Sequence, residues 1–329
     1  MYDWYFYIKN VEIKSKTVKI RLFCIVLCLC MFTACGKDGP VVPPAGQPGN
    51  PEEPEEAQEP VSADGIINLN NEFIIVGENN MANVESTEWR EICYGNGRYV
   101  AVGYKGTAYS TDGINWISEN KLDETFDDVC YGNGRFVATG YYKIIAHSTD
   151  GANWTTTAVG SSFDTTWNGI CYGNGKFVAV GRDNNVAHSS DGINWTLVQS
   201  GNDKAPNYLS ICYGNGKYVA TKTFGDIAYS TDGINWSAKK VGSSQFNRVC
   251  YGNGKFVAVG FSGEIAFSGD GVSWTMKNVG STTWNGVCYG NGKFVAVGYN
   301  IIIHSTDGVN WTTTTVDIDT ILNSIIPVQ

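Results

Sequence analysis

An all-β chain of short four-stranded units set around a ring is predicted by three features of the sequence. A Cys-Tyr-Gly-Asn-Gly motif returns six times, a Ser-x-Asp-Gly-x-x-Trp motif returns in step with it, and the composition is rich in turn formers and aromatics. The first motif begins at Cys93, Cys130, Cys171, Cys212, Cys250 and Cys288, at intervals of 37 to 41 residues. Gly 39, Trp 10, Tyr 18 and Phe 14, against 17% charged residues, give a chain able to bury a large core, which excludes disorder throughout.

The third unit shows how each element is read. Residues 167–172 form a first apolar strand, Gly173-Asn174-Gly175 the turn, and 176–180 the second strand, with third and fourth strands at 186–189 and 195–198. Asn-Gly is the strongest short hairpin signal because both turn positions tolerate positive φ. Four-stranded units of this length, repeated radially, make a β-propeller.

At about 39 residues per unit, the 264 residues from 66 to 329 hold close to seven blades. Six are complete. The seventh is composite: in residues 66–86, which offer three strands, Glu72-Phe73-Ile74-Ile75-Val76-Gly77 echoes Lys-Phe-Val-Ala-Val-Gly, and Leu322-Asn323-Ser324-Ile325-Ile326 echoes Trp284-Asn285-Gly286-Val287-Cys288. Joining them closes the ring and leaves no open sheet edge. The alternative is six blades with both ends as trimmings.

The first 62 residues read as an address and a tether. Lys9, Lys14, Lys16, Lys19 and Arg21 precede a nearly apolar stretch from Leu22 to Ala34. As a helix it rises about 20 Å, short of the roughly 30 Å hydrocarbon core, so it reads as a cleaved signal peptide over residues 1–34. The ending Phe32-Thr33-Ala34-Cys35 resembles the lipobox of bacterial lipoproteins, with Phe32 where that pattern usually has Leu. The resemblance implies that Cys35 becomes the lipidated first residue. Residues 35–62, with most of the chain's prolines and a run of glutamates, form an extended linker, and 63–329 the propeller.

The Ser-x-Asp-Gly-x-x-Trp motif resembles the Asp-box, or BNR repeat, of sialidase-like propellers, though it lacks one residue between Asp and Gly. Similar repeats occur in sialidases, photosystem II assembly factors and many bacterial surface proteins. The resemblance implies a hairpin between the third and fourth strands and a structural role, away from any active site, for Asp112, Asp150, Asp191, Asp232, Asp270 and Asp307. Fold alone does not deliver function.

The formal net charge is −9, and −12 without residues 1–34, which argues against nucleic-acid binding. The six ring cysteines are expected to be buried free thiols, because symmetry should hold equivalent positions beyond the roughly 7 Å limit for a bridge. His147, His188 and His304 fill an aromatic slot of the repeat, and neither a metal nor a cofactor is expected.

One face of the ring collects nearly identical turns, the other collects the loops that vary. There lie Tyr104, Tyr141, Tyr142, Arg182, Phe224, Phe261 and Tyr299, candidate ligand-binding residues whose rings suit stacking on sugars or gripping a peptide. A sialidase-like hydrolase would need three converging arginines, a Tyr-Glu pair and an acid/base Asp, and the propeller has only Arg90, Arg98, Arg135, Arg182 and Arg248. The expectation is therefore a monomeric, non-catalytic envelope lipoprotein of the outer membrane that binds a glycan or a surface protein. An assembly or scaffold factor is the alternative, and a glycoside hydrolase a weaker one.

Overall fold

The computed structural model describes residues 61–63, 66–69, 72–77, 88–119, 123–160, 162, 164–199, 207–315 and 320–329. The signal segment, Cys35 and most of the linker lie outside the described residues. Seven antiparallel four-stranded sheets form the ring, so the chain is a seven-bladed β-propeller. Strands are lettered a to d outwards. The inner a strands of blades 1 to 7 are Trp89–Gly95, Phe126–Gly132, Trp167–Gly173, Tyr208–Gly214, Phe246–Gly252, Trp284–Gly290 and Leu322–Pro327.

Sequence dictates these hairpins locally. In all six a-to-b turns the Asn (φ 45 to 50) and the following Gly (φ 72 to 76) are both left-handed, as a two-residue type I′ turn requires. The b strands that follow, such as Lys176–Gly181, are buried along nearly their whole length because a blade covers each face. The d strands of the six complete blades, such as Thr155–Ala158 and Ser237–Lys240, are largely exposed.

The core lies between blades. Cys171, Val178, Val180 and Val186 of blade 3 pack on Tyr208, Ile211, Tyr218 and Ala220 of blade 4. Seven such clusters, one per interface, complete the circle.

The six described ring cysteines are free, and orientation supplies the physical reason that symmetry alone did not. Each points the same way around the ring, Cys93 onto Phe126 and Val129, Cys171 onto Tyr208 and Ile211, so neighbouring thiols never face each other. Burial pushes the Cys93 and Cys171 thiols up. A water-soluble disulfide reagent at mildly alkaline pH is thus expected to find these two only after denaturation. Rapid labelling of the native protein would refute that.

The repeated turns interlock on one face. In blade 1, Ser110 Oγ donates to Asp112 Oδ1 at 2.9 Å and accepts the Gly113 N–H, while Asp112 Oδ1 accepts the N–H groups of Ile114 (2.9 Å) and Asn115 (2.7 Å). The base that opens the b strand reaches forward in blades 1, 3 and 5. Arg98 donates to the Asp150 carbonyl at 2.5 Å, Lys176 to that of Asp232 at 3.0 Å and Lys255 to that of Asp307 at 2.8 Å. On this face the repeated polar groups are occupied in holding the next blade.

The N–H donors hold the turn carboxylates below their ordinary range. At Asp112 the Asn115 backbone N–H is the largest cause; at Asp150 burial opposes the effect and the same donors outweigh it. A depressed carboxylate pKa contributes stability above the unfolded value of about 3.9 that is lost as pH falls through it. The melting temperature should therefore drop steeply below about pH 4. An unchanged melt well below that pH would exclude this role.

Blade 7 departs from the expected layout. Its three N-terminal strands occupy Val61–Ala63, Ile66–Leu69 and Phe73–Gly77 instead of spanning 66–86, and the chain runs through them from the outside in, as d, c and b. Leu322–Pro327 then pairs with Phe73–Gly77 as strand a, Ile325 opposite Ile75 and Ile326 opposite Ile74. Strand b keeps its inner place because its Phe-Ile-Ile-Val-Gly run suits burial on both faces. With no Ser-Asp turn opposite it, Lys293 of blade 6 bonds Glu72 Oε2 at 2.7 Å and Asn291 bonds the Glu72 carbonyl.

Candidate functional site at the mouth of the central channel

Every a strand carries a β-bulge at its second residue, at the end where the variable loops gather. A bulge leaves one residue out of the ladder and re-aims its side chain. The seven bulged residues, Arg90, Asp127, Asn168, Leu209, Asn247, Asn285 and Asn323, all line one cavity of about 260 Å³, completed by Glu88, Gln245 and Arg248. Nine of these ten are polar, so the cup is built for hydrogen bonding.

Four of the bulged positions are asparagine for a structural reason. Each donates Nδ2 to the first carbonyl of the next blade: Asn168 to Tyr208 (2.6 Å), Asn247 to Trp284 (3.0 Å), Asn285 to Leu322 (3.1 Å) and Asn323 to Trp89 (2.9 Å). Blades 1 and 2 use charge instead. Arg90 bonds Asp127 and Glu88, and also donates to the Tyr141 hydroxyl at 3.1 Å while lying 5.5 Å from that ring's centroid.

The third residue of the a strands makes the floor. Arg248 of blade 5 crosses the channel to Glu91 of blade 1 at 3.1 Å and to the Asp127 carbonyl at 3.4 Å. Glu91 also accepts the Ser324 hydroxyl of blade 7. Asp128 has no guanidinium in contact; its oxygens accept the N–H groups of Val129 (2.8 Å) and Ile170 (2.9 Å). Burial, followed by the neighbouring Glu91 carboxylate, pushes its carboxyl up to about 8. A carboxyl raised in the fold loses stability as pH rises from its unfolded value of about 3.9 through its folded one. Asp128→Asn should therefore flatten the fall in melting temperature between about pH 4 and pH 8. An unaltered slope would assign that fall to other groups.

The loop residues singled out in the sequence lie on this face, in two settings. Tyr141 is half-buried and tied to the cup through Arg90. Tyr104, Tyr142, Phe224, Phe261 and Tyr299 are exposed at the rim, Phe224 most of all at 64%. Arg182 is exposed too, its N–H donating to the Thr166 carbonyl at 3.0 Å. None of these loop residues lines the cup, and Tyr141 is joined to it through Arg90.

Phe224 and Tyr142 sit at φ 64 and 52, where bulky residues are rare. Holding an aromatic there costs about 1 kcal/mol or more. Phe224→Gly is expected to stabilise the fold by about that amount, measured by denaturant unfolding. A destabilised variant would show that the ring packs instead of merely being displayed.

Sequence reasoning missed the cup itself and Lys222. This lysine replaces the glycine that ends the b strand in the other complete blades; its Nζ bonds Asn184 Oδ1 at 2.7 Å and lies 4.4 Å from the Tyr208 ring centroid. A signal for the cup existed. The second and third residues of the a strands read Arg-Glu, Asp-Asp, Asn-Gly, Leu-Ser, Asn-Arg, Asn-Gly and Asn-Ser, amid neighbours that barely change.

No family model matches the chain, and no curated protein does. Solved structures do. A streptogramin B lyase aligns at 12% identity with a TM-score of 0.65, over 75% of this chain and 88% of that one. YCF48 bound to a D1 peptide aligns at 17% and 0.54, over 68% and 80%. YCF48 from Cyanidioschyzon merolae aligns at 14% and 0.54, over 69% and 85%. One neighbour is a lyase and two are YCF48 structures, so what this chain shares with all three is the β-propeller fold.

Proposed function

We propose that this chain is an envelope lipoprotein, anchored to the outer membrane through Cys35, whose propeller is a non-catalytic binding module for a glycan or a protein. The observation that carries the reading is the ring of bulges. Seven side chains, four asparagines with an arginine, an aspartate and a leucine, converge on one cavity from a single position of the repeat. A scaffold holding only itself together has no need of that divergence, whereas binding residues concentrate where a rigid frame presents variable groups. The carboxylates there are engaged in ion pairs and N–H bonds, an arrangement suited to fixed polar contacts.

An assembly factor that holds a segment of a client protein is the second reading. The likeness to YCF48, solved with a D1 peptide, favours it. Both readings place the ligand on the variable face.

Two experiments test this. Cys35→Ser should leave the precursor uncut at this site and lose membrane attachment; a matured, still membrane-bound variant would sink the anchor. For the face, the full chain should be tested against arrayed glycans and envelope-protein peptides, beside Tyr104→Ala/Tyr141→Ala/Tyr299→Ala and Asp112→Ala/Asp191→Ala/Asp270→Ala. Losing three rings should weaken binding by one to three orders of magnitude, at roughly 0.5–1.5 kcal/mol each. The aspartate triple should loosen hairpins and leave the ligand bound. The reverse pattern would place the site on the opposite face.

A further inference from the structure

We propose that the cup takes the terminal residue of a neutral glycan, one sugar ring entering end-on. This rests on the binding-module reading above and narrows it. Three observations carry the inference.

The first is that the cup has a floor. Arg248 spans the channel from blade 5 to blade 1, where it meets Glu91, and Asp128 lies in the same layer from blade 2. A chain threading along the axis would have to break that half-buried ion pair and its bond to the Asp127 carbonyl. A ligand entering from the variable face therefore presents an end.

The second is size. A cavity of about 260 Å³ lies just below the roughly 300 Å³ at which drug-sized pockets begin. That is room for one ring and its substituents.

The third is the balance of the lining. Arg90 and Arg248 are matched by Glu88 and Asp127, and the remaining polar groups are the carboxamides of Asn168, Asn247, Asn285, Asn323 and Gln245. With Nδ2 of the four asparagines committed to the next blade, each carboxamide still brings an acceptor oxygen to the cup wall. Gln245 is linked to this set by its bond to Asn247 Oδ1 at 3.0 Å. Planar amides and carboxylates bordering a single aliphatic group, Leu209, match a ring whose hydroxyls both donate and accept and whose C–H face is apolar. A charged ligand group would find its counter-charge already paired.

The test uses the purified full chain and a panel of methyl glycosides of neutral hexoses and N-acetylhexosamines, followed by saturation-transfer NMR and titration. Leu209→Trp fills the cup from its apolar side and touches none of the inter-blade clamps. Its melting curve verifies the fold, and Leu209→Phe serves as the second variant if it fails. The expected result is that at least one glycoside binds and that the filled cup weakens it by about tenfold or more. Failure of every glycoside, preference for uronic-acid glycosides, or binding unaffected by a folded cup-filling variant would overturn the proposal. Peptide binding that the same variant abolishes would overturn the sugar assignment while leaving the binding site standing. Ligand binding indifferent to the variant would overturn both.

Discussion

Removing residues 320–329 is expected to abolish cooperative folding. The segment supplies strand a of blade 7, with Leu322 and Ile325 at 0% and 4% exposure in the core and Pro327 opposite Phe73 in the ladder. Full burial of two such side chains is worth roughly 1.5–3 kcal/mol each, and their loss also uncovers Ile74, Ile75 and Val76. Against a total stability of about 5–15 kcal/mol, a deficit of this size leaves a marginal fold with an unpaired apolar strand edge. Dye binding and a lost or broadened melting transition would report it. A truncated chain that melts as sharply as the parent would mean that six blades stand alone.

The second large effect is expected from a single methyl group. In blades 1 to 5 the first glycine of the Tyr-Gly-Asn-Gly turn faces the tyrosine of the following blade, and Gly290 of blade 6 faces Pro327. A Cβ on Gly173 would lie 2.1 Å from the Tyr213 ring. That ring cannot retreat, because its centroid is already 4.7 Å from that of Tyr218, whose hydroxyl donates to the Gly173 carbonyl at 2.5 Å. Gly173→Ala should therefore cost about 1–3 kcal/mol by overpacking, read from denaturant unfolding. Adding Tyr213→Ala should recover part of the loss, giving a coupling of at least about 0.5 kcal/mol. Additive losses would show that the glycine is required for something other than the tyrosine.

Much of the fold was legible because the repeat was printed six times. Asn174-Gly175 named its own turn, and the strands found in the third unit, such as Lys176–Gly181, differ from the expected ones by about a residue at their ends. The composite blade was legible from the echo of Lys-Phe-Val-Ala-Val-Gly at Phe73–Gly77. Its reversed radial order was not, since Val61–Ala63 and Ile66–Leu69 carry no motif and an antiparallel meander can be traversed in either direction. The rim aromatics were legible as loop residues. The cup was hidden because a bulge shifts the two-residue alternation by one, so Asn168 and Asn285 look like ordinary strand residues until the register is known.

The repeated interblade clamps point one way. Each bulged asparagine, each ring cysteine and the strand-opening bases Arg98, Lys176 and Lys255 address the following blade. In the language of assemblies this is a heterologous, head-to-tail interface repeated within one chain, and such an interface ends only by closing on itself. The geometry of blade 7 is thus the terminator of an intramolecular polymer. Any lesion that keeps it from seating leaves blade 6 with an unanswered forward face and blade 1 with an unanswered rear face. These are complementary, and the nearest substitute for the missing partner is another copy of the same protein. Failure of closure should accordingly yield head-to-tail oligomers that lengthen with concentration, a growth law that distinguishes them from amorphous aggregate.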